Sequence, residues 1–499
     1  MNAGPAPRHP VLLGGCTVLA TLMQGLDSTI TNVALPYMQA GLMAGSDQIT
    51  WVLTSYVIAA AVMTAPVGWL AARLGRRRLF ITCLAGFTLA SMLCGAAQTL
   101  GQMVAFRLLQ GIFGAAFVPL SQATMLDTFP MERRAEAMAV WGIGVMVGPV
   151  LGPVLGGWLT GLGDWRWVFY VNLPVGVLAM LGLVAVMPPD RPDPARGFDW
   201  TGFLALALGI GALQLLLDRG EGLDWFAAPE IMAEAMLAVL GFYLFGVHML
   251  TAPRPFLPPA MFRDTNLVMA LLATFLNGTV LLASTALLAG YLQKLAGYPV
   301  EAAGLAMMPR GLGTMAGMLL AGWLGRRVDQ RRLMALGVLL LAWSVHEMSQ
   351  WTPEIEGTRL AATLALQGFA TGLSSNPLSV LAYATLAPHW RGDAAGLIAL
   401  FRNTGNAVGV SVTAVVLARM AQVSHAELAA HVTPFNRLLQ DGSATARLLG
   451  PGSATGPWLL EGMIGHAAAV IAASDTWRLL TVAALLPLPL IALMRRPGS

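Results

Sequence analysis

Charge is what this sequence has least of. Only 11% of its 499 residues are Asp, Glu, Lys or Arg and 56% are hydrophobic, whereas a soluble domain is about a quarter charged. With a mean hydropathy of +0.68, the apolar residues must face lipid rather than water. Lysine is nearly missing: the one lysine, Lys294, lies between Gln293 and Leu295, which excludes the Gly-Lys-Ser/Thr phosphate loop of an ATP-driven pump. Cysteine is scarce too. Cys16, Cys83 and Cys94 all sit in apolar runs, where a thiol behaves as a small hydrophobe, so neither a disulfide framework nor a CxxC redox motif follows. GxSxG and HExxH are missing; in HEMSQ, which starts at His346 and Glu347, Gln350 stands where a zinc helix needs its second histidine. No metal and no cofactor is expected, and an intramembrane enzyme is the weaker reading because clustered titratable groups are lacking. MNAGPAPRHP has none of the parts of a cleavable signal peptide, so the first apolar run should remain as a membrane helix. The pI near 9.2 does not point to nucleic acid, because the basic residues fall in short loops instead of along one helical face.

What is present is a series of apolar runs long enough to span a bilayer: 11–35, 50–72, 79–97, 101–126, 138–160, 167–187, 198–217, 231–250, 267–292, 302–324, 333–350, 358–387, 394–418 and 477–494. Fourteen runs put both termini on one side. With the N-terminus inside, the inward segments hold eighteen of the 29 Lys and Arg, against four in the short outward loops (Arg166, Arg219, Lys294 and Arg359). The excess of basic residues places both termini in the cytoplasm. The segment 419–476 is too polar and too broken by Gly and Pro to span, and reads as an outward, partly helical excursion. Within it Gly462 to Ala473 is either an interfacial helix or an early start to the last span.

GWLAARLGRRR (Gly68 to Arg78) and GWLGRRVDQRR (Gly322 to Arg332) agree at six of eleven positions, and both close an outward-to-inward run. They mark matching points of two homologous halves. The expected fold is therefore all-α and polytopic, with a six-helix bundle over 1–187, a central linker with two extra spans over 188–265, and a second six-helix bundle over 266–499 carrying the outward segment at 419–476. Two parallel six-span repeats with a site between them are the architecture of a rocking transporter.

The motifs carry a resemblance. LDSTITNVALP (Leu26 to Pro36), the loop Gly68 to Arg78, FRLLQGIFGAA (Phe106 to Ala116) and GVMVGPVLGPVLGG (Gly144 to Gly157) follow one another as in the major facilitator superfamily, and the chain resembles its fourteen-span drug:proton antiporter branch. WRWVFYVNLPVG (Trp165 to Gly176), DRGEGLDWF (Asp218 to Phe226) and HVTPFN (His431 to Asn436) are most similar to the EmrB-type inner-membrane component of tripartite efflux pumps. The resemblance implies a bacterial inner-membrane exporter of hydrophobic or amphiphilic drugs, handing substrate to a periplasmic adaptor and an outer-membrane channel. It implies a gating loop at Gly68, Arg73, Gly75, Arg76 and Arg77, and an antiporter motif at Gly148, Pro149, Gly152, Pro153, Gly156 and Gly157. In one place the chain departs from the pattern: the usual loop aspartate is Ala72.

Asp27 is the only acidic residue well inside the first six runs. A carboxylate in hydrocarbon must be paired, protonated or in contact with water, which makes it the natural proton site. At about 1.5 Å per residue Arg107 lies at similar depth and can pair with it, or Asp27 sits near the interface and simply hydrogen-bonds to a helix. Arg310 and Arg402 either draw anionic substrate groups or bind helix-end carbonyls. Gln24, Asn277 and Gln367 are polar at cavity depth. The energy source is then the proton gradient; a proton-independent or importing facilitator of a specific metabolite is the alternative.

Overall fold

The computed structural model describes residues 9–495 except 131–132, 162, 190–196, 254, 256, 326, 388–389 and 433–454. Each of the fourteen apolar runs is helical, as expected where no water is at hand to satisfy the backbone and each segment must bond internally. In chain order the helices are α1 (Pro10–Gly41), α2 (Trp51–Thr64, continued after a 59° bend by Val67–Leu74), α3 (Arg76–Ala96), α4 (Leu100–Thr128), α5 (Arg134–Gly161), α6 (Trp167–Val186) and α7 (Trp200–Arg219). They continue as α8 (Pro229–Thr251), α9 (Thr265–Leu295), α10 (Val300–Ala306 and Met308–Leu324), α11 (Gln330–Met348), α12 (Gly357–Ala384), α13 (Arg391–His431) and α14 (Gly456–Leu493). Among the described residues nine of them are long and apolar enough to cross a membrane, and ten with the bent α2 counted as one. α12 falls outside that set because it is rich in Gly, Thr, Ser, Gln and Asn; the middle of the helix is buried inside the protein. Several helices start on a side-chain cap: Thr99 accepts from Gln102 N at 3.3 Å, Asp199 from Gly202 N at 2.9 Å and Asp264 from Leu267 N at 3.0 Å, each satisfying an otherwise unpaired N–H.

The segment 419–476 is less separate than its composition suggests. α13 runs for 41 residues, about 60 Å at 1.5 Å per residue, or twice a hydrocarbon core of about 30 Å; SHAELAAHV is its far end. α14 begins at Gly456, so Gly462 to Ala473 is an early start of the last helix and not a separate interfacial one. His425 of α13 and Glu461 of α14 meet at 2.8 Å, joining the two extensions. Most of HVTPFN and the rest of 433–454 lie outside the described residues.

The helices come together through small residues, since lipid gives apolar side chains no reason to prefer each other and close backbone approach must supply the attraction. α5 runs along α1, and at Gly148 an added Cβ would lie 2.8 Å from the carbonyl carbon of Gly25 and from Leu26 N. Gly144, Gly152 and Gly156 meet Val18, Thr29 and Val33 of α1 in the same register, whereas nothing lies within 4 Å of a Cβ at Gly157. The side chains of Pro149 and Pro153 lie outside the described residues. In the second half α10 packs on α12 and α9 on α13 in the same way, with a Cβ at Gly278 falling 2.7 Å from the carbonyl oxygen of Arg402. α7 and α8 pair with each other, and α7 leans on α2.

The seam predicts a contrast within one motif. Gly148→Leu should separate α5 from α1 and destabilise the protein by about 1–3 kcal/mol, a drop of several degrees in the Tm of detergent-solubilised protein. Gly157→Leu should leave Tm unchanged.

Candidate functional site

Three polar assemblies are built on this frame. The first is buried in the N-terminal half. α1 brings in Asp27, α4 brings Arg107 and, one turn later, Gln110, and the start of α6 brings Asn172. Asp27, Arg107 and Asn172 are each 1% exposed and Gln110 is fully buried. Arg107 Nη1 donates to Asp27 Oδ2 at 2.8 Å, while Oδ1 accepts from Gln110 Nε2 at 2.7 Å and Asn172 Nδ2 at 2.8 Å. A buried carboxylate is tolerated when it is paired and its remaining lone pairs are occupied, and both conditions are met. The guanidinium has other anchors: Nη1 also donates to Gln110 Oε1 at 2.7 Å, Nε donates to the carbonyl of Val52 at 3.0 Å, and the group lies 4.3 Å from the centre of the Tyr56 ring. Asn172 donates in addition to Ser91 Oγ at 2.9 Å. Gln110, Asn172, Ser91 and Tyr56 escaped the sequence reading, although Gln110 stands three residues after Arg107, the spacing at which helix neighbours face each other.

The second assembly is a cavity of about 130 Å³ between α4 and α5 on one side and α9 to α13 on the other. A water takes up about 30 Å³ in the liquid, so the space is enough for a few of them. Asn277, Arg310 and Arg402 line it. Gln367 does not; it is buried on α12 and donates to Ser284 Oγ, a cavity-lining atom, at 3.4 Å. Gln24 is also outside the cavity, one turn before Asp27 on α1. Arg310 donates to Thr285 Oγ1 at 2.7 Å, to the Leu281 carbonyl at 3.2 Å and to Ser284 Oγ at 3.3 Å. Trp141 Nε1, Asn277 Nδ2 and Gln122 Oε1 are buried with no hydrogen-bond partner, an arrangement that folded proteins usually keep for a ligand or an ordered water.

The third assembly joins the halves at the end of α2. At Gly68 an added Cβ would lie 2.7 Å from the backbone N of Asp393, so only glycine lets α2 rest on the first turn of α13. Gly75 turns the chain into α3 with φ +87°, a left-handed conformation that glycine adopts freely. Arg76 Nη1 pairs with Asp127 of α4 at 2.7 Å, and Arg391 of α13 reaches the other oxygen of Asp127 at 3.5 Å. Arg77 donates to the carbonyl of Val184 at 2.6 Å and Arg73 lies in the last turn of α2. Asp127 thus supplies a carboxylate at the junction where Ala72 supplies none.

Residues 17–410 match the model of the Major Facilitator Superfamily. The chain is similar to the fatty acid resistance protein FarB of Neisseria gonorrhoeae, with 34% identity over 85% of this chain and 84% of the relative. It is similar to the multidrug export protein EmrB of Escherichia coli K12, with 32% identity over 84% and 82%. Among solved structures it resembles the human organic anion transporter MFSD10 (TM-score 0.62, 16% identity, 97% of this chain and 99% of the other) and the proton:xylose symporter XylE (TM-score 0.60, 14% identity, 95% and 94%). At these identities the structural likeness speaks to the fold alone.

The Asp27 network yields a test of its own. Arg107→Met strands a buried carboxylate and should cost about 3–5 kcal/mol. Adding Asp27→Asn should restore most of that loss in the double variant, measured by unfolding in detergent micelles.

Proposed function

The chain belongs to the major facilitator superfamily and is a multi-pass membrane transporter, and from that premise we propose that it exports hydrophobic drugs and toxic compounds in exchange for protons, by alternating access between two six-helix bundles across fourteen spans. The observation that carries the reading is the fully buried carboxylate of Asp27, held by a cation that has other anchors. When Asp27 takes up a proton its attraction for Arg107 falls away. Arg107 can then rest on Gln110 Oε1, the Val52 carbonyl and the face of Tyr56, all of which it already touches. A protonation step thereby becomes a rearrangement of α1 against α4 and α6, without stranding the arginine. The α1–α5 glycine seam offers a route to the substrate, since Trp141, Gly142 and Val145 of α5 line the cavity. In this cycle the same seam keeps the N-terminal half sealed against proton leak.

A proton crossing 100 mV releases about 2.3 kcal/mol, which sustains roughly a fifty-fold substrate gradient. The printed names of the bacterial relatives, a multidrug export protein and a fatty acid resistance protein, support export of toxic hydrophobic compounds. We place the protein in the bacterial inner membrane with both termini in the cytoplasm, as the basic residues of the inward loops favour. We assign the outward ends of α13 and α14 as the place where a periplasmic adaptor docks, leading to an outer-membrane channel. Gly68, Arg73, Gly75, Arg76 and Arg77 form the inner gate in this cycle, and Gln24 and Gln367 act from behind Asp27 and the cavity wall.

The experiment is efflux from proteoliposomes over a panel of hydrophobic compounds, driven by an imposed proton gradient. Export should collapse when the gradient is dissipated and in Asp27→Asn. Substrate movement indifferent to both would replace antiport with facilitated diffusion.

A further inference from the structure

The network around Asp27 has a counterpart in the second half. α12 is the fourth helix of that half, as α4 is of the first, and Gln367 stands ten residues after the first residue of α12, as Gln110 does after the first residue of α4. Both glutamines are fully buried, and each is followed by a glycine that sits against a backbone carbonyl of the second helix of its half: Gly111 against Tyr56 of α2, Gly368 against Arg310 of α10. Each amide lies 3.7 Å from a sulfur of the third helix, Cys94 of α3 or Met348 of α11, and both sulfurs belong to the residue eighteen after the start of that helix. Each amide also donates to a side chain 83 residues earlier, on the first helix of its half: Gln110 to Asp27 at 2.7 Å, and Gln367 to Ser284 at 3.4 Å. These four correspondences of helix, position and partner make the surroundings of Ser284 a copy of the Asp27 network.

Two exchanges separate the copies. A hydroxyl, Ser284, stands where Asp27 has its carboxylate, and the fully buried Leu364 stands where Arg107 does, three residues before the glutamine. The second exchange leaves a mark. Gln110 Oε1 accepts from Arg107 at 2.7 Å, whereas Gln367 Oε1 is buried with no hydrogen-bond partner. Buried acceptors are seldom left so, and the leucine in place of a guanidinium accounts for this one. A cation still reaches Ser284, but from another helix: Arg310 donates to Ser284 Oγ at 3.3 Å. A hydroxyl stays neutral over the range in which a carboxylate titrates, so this copy has the donors of a proton site without the group that would take the proton. We propose that Ser284, Leu364 and Gln367 are a silenced second proton site, so that of the two networks only that of Asp27 takes up a proton and the carrier turns over on one proton per cycle. The proposal rests on the reading of Asp27 as the proton site. With one titrating carboxylate a single protonation selects the state of both halves; with two, singly loaded states would intervene in which one lock is released and the other engaged.

The test puts the missing pair back. In the full-length protein in detergent micelles, Leu364→Arg should lower Tm by several degrees, because it buries a guanidinium that meets no carboxylate, and adding Ser284→Asp should recover most of the loss. Potentiometric titration in phosphatidylcholine nanodiscs between pH 9 and 4 then counts protons, the surface groups cancelling between variants. Asp27→Asn should take up one proton fewer than the unaltered protein, Ser284→Asp one more, and the two substitutions together the same number. In the proteoliposome experiment at zero membrane potential, the unaltered protein should hold a neutral compound at no more than about a tenfold ratio per unit of pH gradient, the limit for one proton. A larger ratio, a Ser284→Asp variant that gains no proton or does not fold, or a Leu364→Arg variant that Ser284→Asp does not recover would each overturn the proposal. If neither Leu364→Arg protein folds, the proton count of Ser284→Asp decides. An Asp27→Asn variant that takes up as many protons as the unaltered protein would instead remove Asp27 as the proton site and with it the antiport reading, while recovery of Leu364→Arg by Ser284→Asp would still establish the copy.

Discussion

A carboxylate can be held inside a membrane protein only if its charge is matched and its lone pairs are filled, and most of the N-terminal half can be understood as the means of doing this for Asp27. Two helices contribute the three donors, Arg107 and Gln110 one turn apart on α4 and Asn172 on α6, and α1 carries the acceptor. The network therefore fixes α1 relative to α4 and α6 by direction as well as by contact. A second set of constraints acts from the far side of α1, where the glycines of α5 admit its backbone. One helix is thus pinned between a polar lock and an apolar seam, so a change in the lock must be felt along the seam.

The two halves divide the electrical work. In the first, cation and anion are both supplied by the chain and the site is neutral and closed. In the second, Arg310 and Arg402 line an open space, and among the described residues no Asp or Glu lines it. The two assemblies share no side chain, but α5 reaches both: its glycines lie along α1, which carries Asp27, and its Trp141, Gly142 and Val145 line the cavity.

Much of this was legible in the sequence, and the parts that were not have a common cause. Asp27 and Arg107 stand out because charges are so rare in the apolar runs, and counting residues from the ends of the runs puts them at the same depth. Gln110 and Asn172 are equally buried but were not singled out, since an amide in an apolar helix is cheap enough to occur for many reasons and carries no charge to draw notice. For the same reason Gln24 and Gln367 were placed by polarity alone, and the cavity passes both by. Run lengths located the helices but left the ends of α13 and α14 open: an early start of α14 over Gly462 to Ala473 was one of two readings, and the polar end of α13 has no hydropathy signal of its own. Asp127 was hidden by the expectation that the loop carboxylate would lie at position 72; only the fold brings α4, α3 and α13 together.

That substitution has an energetic meaning. The pairs that Asp127 forms with Arg76 and Arg391 are partly exposed to water, and an exposed ion pair contributes about 0–1 kcal/mol. The Gly68 contact adds a close backbone approach to Asp393, whose side chain is buried. The ion pairs of Asp127 are therefore weak, whereas Asp27 and Arg107 form one strong buried pair. A transporter that must open its inner side once in every cycle needs a junction that releases with little more than thermal energy once the controlling equilibrium has shifted. In the proposed cycle strength at Asp27 and weakness at Asp127 meet two requirements: the buried network decides which state is favoured, and the surface junction follows.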